Sequence, residues 1–188
     1  MASSSSRSIL LARPFFTIGH STRPLDEFVR LLSDAEVRLI VDVRTFPGSR
    51  ANPQYNSVTL AGALSEYRID YQHLAALGGL RRRQLDVPAD LNAFWENRSF
   101  HNYADRAMGE EFRSGLTELR ELGHIKQCAI MCAEAVWWRC HRRIIADYLI
   151  AANERVIHIL GRNHNEPAHM TRGARLQPSG ALTYPHLV

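Results

Sequence analysis

The chain has 188 residues, 45% of them hydrophobic and 22% charged, a composition that fits one globular domain of ordinary size and excludes a disordered or fibrous chain. Lys and Arg number 23 against 19 Asp and Glu, giving a formal charge of +4 and a pI near 9.2, which favours anionic partners without naming one. Three cysteines, Cys128, Cys132 and Cys140, are too few and too close together for a secreted disulfide framework and suit a reducing cytoplasm.

Residues 1–13, Ser-rich and without an acidic group, read as a disordered leader before a single domain over residues 14–188. No apolar run approaches the roughly 20 residues of a membrane helix, so a soluble protein is expected. Phe15 to Ile18 predicts a short buried strand, ending in the polar turn Gly19-His20-Ser21-Thr22. Pro24 suits a first helical turn, and Leu25, Phe28, Val29, Leu31 and Leu32 then recur at helical spacing to about Ser33. Arg38 to Val43 is a second strand, apolar enough for the middle of a parallel sheet, and delivers Asp42 and Arg44 at its carboxyl end. A long loop with Pro47, Gly48 and Pro53 follows, then a helix over Thr59 to Tyr67, a strand near Ile69 to His73, and a loop through Leu77-Gly78-Gly79 and Arg81-Arg82-Arg83.

The helical signal is weak from Ala89 to Phe100. From Ala104 to Leu122 it predicts one helix, closed by Gly123. Gln127 to Cys132 is a buried strand, Ile144, Ile145, Tyr148 and Leu149 share a helical face, and Arg155 to Leu160 is a last core strand before an irregular tail with a small hairpin near Gly180. Alternating strands and helices argue an α/β fold: a three-layer Rossmann-like sandwich with a mainly parallel sheet in a single domain. Ligands bind such sheets beyond the carboxyl ends of the strands, where His20 and Ser21, Asp42 and Arg44, and Cys132 and Glu134 all emerge.

Cys132, between a strand and a helix and near several arginines, is placed where a thiol ionises readily, and is the expected nucleophile; the alternative is a small core residue at a strand end. Glu134 is either a general acid or base or the ion-pair partner of Arg44 or Arg142. His141 either moves protons or caps the next helix. Arg44, Ser49 and Arg50, with Asp42, Ser21, Cys140 and Arg142, are expected around a bound anion, against the alternative that Arg44 forms a salt bridge holding its loop. Arg81 to Arg83 read as solvated surface rather than a nucleic-acid grip, and Trp137 and Trp138 as a lid or as packing on the sheet edge. No metal site is expected, because Cys132, Cys140, His141 and His20 lack a C-x-x-C pair; zinc remains a weaker alternative, as does a reversible Cys132–Cys140 disulfide.

Thr17-Ile18-Gly19-His20-Ser21, Val41-Asp42-Val43-Arg44 with Pro47, Ser49 and Arg50, Leu77-Gly78-Gly79, Met131-Cys132-Ala133-Glu134 with Cys140-His141-Arg142, and Val156 to Ile159 follow one another in an order that resembles the bacterial and archaeal family catalogued as domain of unknown function 488. The resemblance implies a compact α/β domain with these motifs on one side, and no particular activity. In layout the chain is also similar to rhodaneses, which carry an Asp-x-Arg strand and an active cysteine in a later strand-to-helix loop.

Three functions compete. The first is an enzyme with Cys132 as nucleophile, His141, Glu134 or His20 moving protons, and arginines holding an anionic, phosphate-bearing or nucleotide-like substrate for hydrolysis or group transfer. The second is a nucleic-acid or nucleotide binding module without catalysis, and the third a zinc- or redox-responsive protein. No Gly-rich phosphate loop supports NAD or ATP, and no other cofactor is expected. The sequence carries no signal for oligomeric state.

Overall fold

The computed structural model describes residues 13–187, so the expected leader lies almost wholly outside the described residues. Its centre is a six-stranded sheet of order β3-β2-β4-β1-β5-β6. In chain order the strands are β1 (Phe15–Gly19), β2 (Leu39–Asp42), β3 (Asp70–His73), β4 (Cys128–Cys132), β5 (Val156–Gly161) and β6 (His164–Pro167). The first five run parallel and β6 turns back antiparallel on β5. The helices are α1 (Leu25–Asp34), α2 (Ser57–Ser65), α3 (Arg98–Ala107), α4 (Glu110–Ile125) and α5 (Arg142–Ala151), and a two-stranded ribbon, β7 (Arg175–Leu176) with β8 (Leu182–Thr183), closes the tail.

Side chains alternate across a strand, and two separate cores result. Phe15, Leu39, Val41, Val43, Cys128, Ile130 and Cys132 face a core shared with α3, α4 and α5. Phe16, Ile18, Ile40, Ala129 and Met131 face the other, with Phe28 and Leu32 of α1 and Leu60 and Leu64 of α2. The molecule is therefore an α/β sandwich of three layers. Among the described residues no helix is long and apolar enough to cross a membrane.

Several expected boundaries move, for local reasons. The one helix expected over Ala104 to Leu122 is two: α3 begins at Arg98, capped by the Asn97 side chain, which accepts from the backbone N–H of Ser99 and Phe100, and the chain breaks at Met108 and Gly109 before α4. Gly123 does not end α4, which runs on to Ile125; the missing side chain instead makes room for the Phe15 ring, which would stand 2.2 Å from a Cβ there. The tail adds β6, a polar edge strand joined to β5 through Arg162 and Asn163, the latter at a left-handed φ of 57°. The hairpin near Gly180 is β7–β8.

From β1 the chain crosses to β2 and β3 on one side, with α1 and α2 on one face; from β4 it crosses to β5 on the other side, with α5 on the opposite face. The neighbours β1 and β4 thus send their loops apart, and the crevice between them is the topological switch point of the sheet.

Candidate functional site

The ladder of β1 and β4 continues past the strands, since the backbone N–H of His20 donates to Cys132 O (3.0 Å) and that of Ser21 to Ala133 O (2.9 Å). Gly19 makes this approach possible: a Cβ on it would lie 1.8 Å from the carbonyl oxygen of Glu134. Around the diverging loops opens a cleft of about 690 Å³, lined by His20, Ser21, Arg44, Ser49, Cys132, Glu134, Cys140 and His141 among others. Most of the expected site residues meet there. Asp42 and Arg142 are buried behind the wall, and Arg50 is exposed and does not line it.

On the α1–α2 face the wall is an ion-pair network. Arg44 donates from Nε to Asp42 Oδ1 (2.9 Å), from Nη2 to Asp42 Oδ2 (2.6 Å) and to the Tyr55 carbonyl (2.8 Å), and from Nη1 to His20 Nε2 (3.3 Å). Tyr71 donates to Asp42 Oδ2 (2.6 Å), and the His20 ring stacks on Tyr55 at 4.1 Å. Burial opposes the charge of Arg44, but its bonds to Asp42 outweigh this and raise its pKa. The salt-bridge alternative for Arg44 is thus realised, with Asp42 as partner and not Glu134. His20 Nδ1 donates to the carbonyl of Ser21 (2.8 Å), which leaves Nε2 to accept from Arg44. Burial, with Arg44 adding to it, lowers His20 to about 4, so at neutral pH it is a neutral acceptor that orients Arg44.

On the α5 face the wall is sulfur and imidazole. His141 Nε2 donates to Val43 O (3.0 Å), and Nδ1 stands 3.6 Å from Cys140 Sγ and 3.9 Å from Cys132 Sγ. The three atoms lie within 4.8 Å of one another. His141 occupies the N-cap position of α5 but makes no side-chain capping bond, so its ring serves the cluster and not the helix end. The ring fits because position 79 is glycine: a Cβ there would be 2.3 Å from Nδ1. Arg142, 1% exposed, donates from Nε to Cys140 Sγ (3.3 Å) and from Nη2 to Glu134 O (2.6 Å), and forms no carboxylate ion pair among the described residues.

All three cysteines are free thiols. The expectation of an ionised Cys132 is corrected here. Its hydrogen bond to Cys140, then burial, raise Cys132, whereas for Cys140 the opposing effect of burial is overcome by the Cys132 thiol, His141 and Arg142, which lower it. Glu134 is exposed at the cleft, and its carboxylate forms no ion pair among the described residues, contrary to the structural role weighed for it.

Arg139, Asn52, Asn97 and Ser99 also line the cleft, and Phe46 (72% exposed) and Leu80 (70%) form an apolar rim. Sequence reasoning missed these; the Asn97 capping pattern was the one local signal near them. Trp137 and Trp138 are not in the lining: Trp137 stacks on His158 at 4.5 Å and donates to Glu166, and Trp138 packs edge-on to Trp137.

Residues 24–149 match the model of the family described as Domain of unknown function DUF488. The chain belongs to that family. The match holds Asp42 to Arg50, Leu77-Gly78-Gly79 and the segment from Cys132 to Arg142, while Thr17 to Ser21 and Val156 to Ile159 fall outside it. No curated protein and no solved structure shows a significant match. For this DUF488 chain the functional reading therefore rests on the cleft itself.

Proposed function

We propose that the chain is an enzyme performing hydrolysis or group transfer on a small anionic substrate held in this cleft. The observation that carries the reading is the convergence, at the switch point of the sheet, of an unpaired carboxylate, a sulfur–imidazole cluster and Arg139 from the segment after β4 with Ser21 from the end of β1 and Ser49 from the loop after β2. Glu134 is the proton carrier, since it reaches the cleft without a counter-charge. The Cys132, Cys140 and His141 cluster is the reactive centre, and Arg139, with the Ser21 and Ser49 hydroxyls, receives the anion. Arg44 and Arg142 stiffen the walls, because their guanidinium groups are already bonded. The reduced thiols suit a cytoplasmic setting.

The test is turnover by the reduced full-length chain of a panel of generic phosphomonoesters, phosphodiesters, nucleotides and carboxylic esters. Activity lowered about 100-fold by Glu134→Gln, within the range for a lost general acid or base, and abolished by Cys140→Ser supports the proposal. A second reading, nucleotide or nucleic-acid binding without catalysis, is favoured by the exposed Phe46 and Leu80 in the cleft that Arg139 also lines, a surface on which a base would stack. Affinity for a nucleotide that falls by about one log unit per log of salt for each phosphate contact, with no turnover of any substrate, would replace the first reading by the second.

A further inference from the structure

We infer that Cys132 Sγ, Cys140 Sγ and His141 Nδ1 hold a thiophilic divalent transition metal of the zinc class, with its fourth position open to the cleft. This deepens the reading of the cleft as an active site, and depends on that reading only for what the fourth position does.

The geometry fits the ligand chemistry. Zinc bonded to sulfur at about 2.3 Å and to nitrogen at about 2.0 Å in a tetrahedron sets its ligand atoms roughly 3.5 to 3.8 Å apart. Nδ1 of His141 lies 3.6 Å and 3.9 Å from the two sulfurs, and all three atoms are within 4.8 Å of one another, so closure on an ion draws the ligands together without rebuilding the site. The imidazole is prepared for it. Donation from Nε2 to the Val43 carbonyl fixes the tautomer and turns the Nδ1 lone pair toward the sulfurs, the outer bond that metal-binding histidines ordinarily make. Arg142 supplies a matching outer bond to sulfur, from Nε to Cys140 Sγ. Cys132 ends β4, Cys140 lies in the turn just before α5 and His141 is the N-cap position of that helix, and both cysteines are buried. Gly79 leaves the space in which the ring stands.

Among the described residues the set stops at three. The Nε2 lone pair of His20 is taken by Arg44, and neither His20 nor Glu134 belongs to the cluster. Three protein ligands and a remaining position facing a cleft are the arrangement of catalytic zinc centres; structural sites close all four. Two thiolates neutralise a divalent ion and the imidazole is neutral, so Arg142 leaves the centre with one positive charge. An anion, either substrate or hydroxide, therefore suits the fourth position.

The probe is cobalt(II), added to the reduced, metal-free full-length chain. The expected result is a stoichiometric complex with a thiolate-to-cobalt charge-transfer band and intense tetrahedral visible bands, displaced by zinc. Cys132→Ser, Cys140→Ser and His141→Ala should each weaken it at least tenfold, and Cys128→Ala should leave it unchanged, with circular dichroism reporting that each variant is folded. Folded, reduced protein that gives no such spectrum overturns the inference, as does a spectrum that persists in Cys140→Ser. Metal binding without turnover of the ester panel would leave the centre standing and remove the enzyme reading; turnover by folded, reduced protein that gives no cobalt spectrum would do the reverse.

Discussion

Gly79 and His141 are in contact so close that a Cβ at position 79 would stand 2.3 Å from Nδ1 and 2.7 Å from Cε1 of the imidazole. The ring is wedged against Tyr103, at 5.0 Å between centroids, and tied to Val43. Gly79→Ala should therefore push His141 out of its place beside the sulfurs. The expected outcome is a cobalt affinity lowered at least tenfold with the thermal midpoint shifted by only a few degrees, since position 79 lies in a partly exposed loop.

Asp42 is fully buried and carries the charge that balances Arg44. Asp42→Asn leaves that guanidinium buried and unpaired, which should cost about 3 to 5 kcal/mol. Adding Arg44→Gln to Asp42→Asn should recover part of the loss. Urea unfolding of the single and double variants measures both, and a single variant as stable as the parent would show that the pair does not brace the cleft.

Acid should destabilise the fold. Burial lowers both His20 and His158 to about 4, so the unfolded chain takes up protons near pH 6.5 while the folded state refuses them, and stability is lost as pH falls from 6.5 to 4. Burial pushes Asp147 up to about 6, with the opposite sign: the folded state holds that proton more tightly, and stability is gained as pH falls from 6 toward 3.8. Two histidines against one carboxyl leave a net loss on the order of 3 kcal/mol between pH 7 and pH 4. Unfolding curves at stepped pH test this, and Asp147→Asn should steepen the acid limb.

Cys128 begins β4 inside the core, away from the cleft, and burial pushes it up to about 12. Alkylation of the native reduced protein should spare Cys128 and modify it only after unfolding, as mass mapping of the labelled peptide would read. Labelling in the folded state would mean that the core around β4 opens readily.

Arg139 lines the cleft and Arg50 does not. Arg139→Ala should weaken binding of inorganic phosphate about tenfold, a difference of about 1.4 kcal/mol. Arg50→Ala should leave it unchanged. Titration followed by amide chemical shifts distinguishes the two.

The legible parts of this fold are those where one local rule suffices. The strand ending at Cys132 is readable because a strand covered on both faces must be apolar throughout, and α1 because Leu25, Phe28 and Leu32 repeat at helical spacing. Strand β6 is not, because His164–Pro167 is a polar edge strand supported by one neighbour. The same division runs through the site. Asp42 and Arg44 are two apart at a strand end and so emerge on one face, a signal present in the sequence. Tyr55 and Tyr71 join them from a loop and an edge strand, and nothing near them in sequence marks this. The bond from Arg142 to Cys140 depends on a guanidinium reaching back from the first residue of α5, and the meaning of Gly79 on a histidine sixty-two positions away.

The family match begins at residue 24, yet Phe15–Gly19 lies between β4 and β5, in the interior of the sheet. At the other end Asp147 and Tyr148, the last matched turn, are held by Thr171, Leu182 and Tyr184. A fragment cut to 24–149 would lose β1, β5 and β6, half of the sheet, with the ladder edge of β4 bare and α5 stripped of its cover. The stretch of sequence that defines the family is thus smaller than the unit that folds, and any dissection of this protein into parts has to keep both flanks.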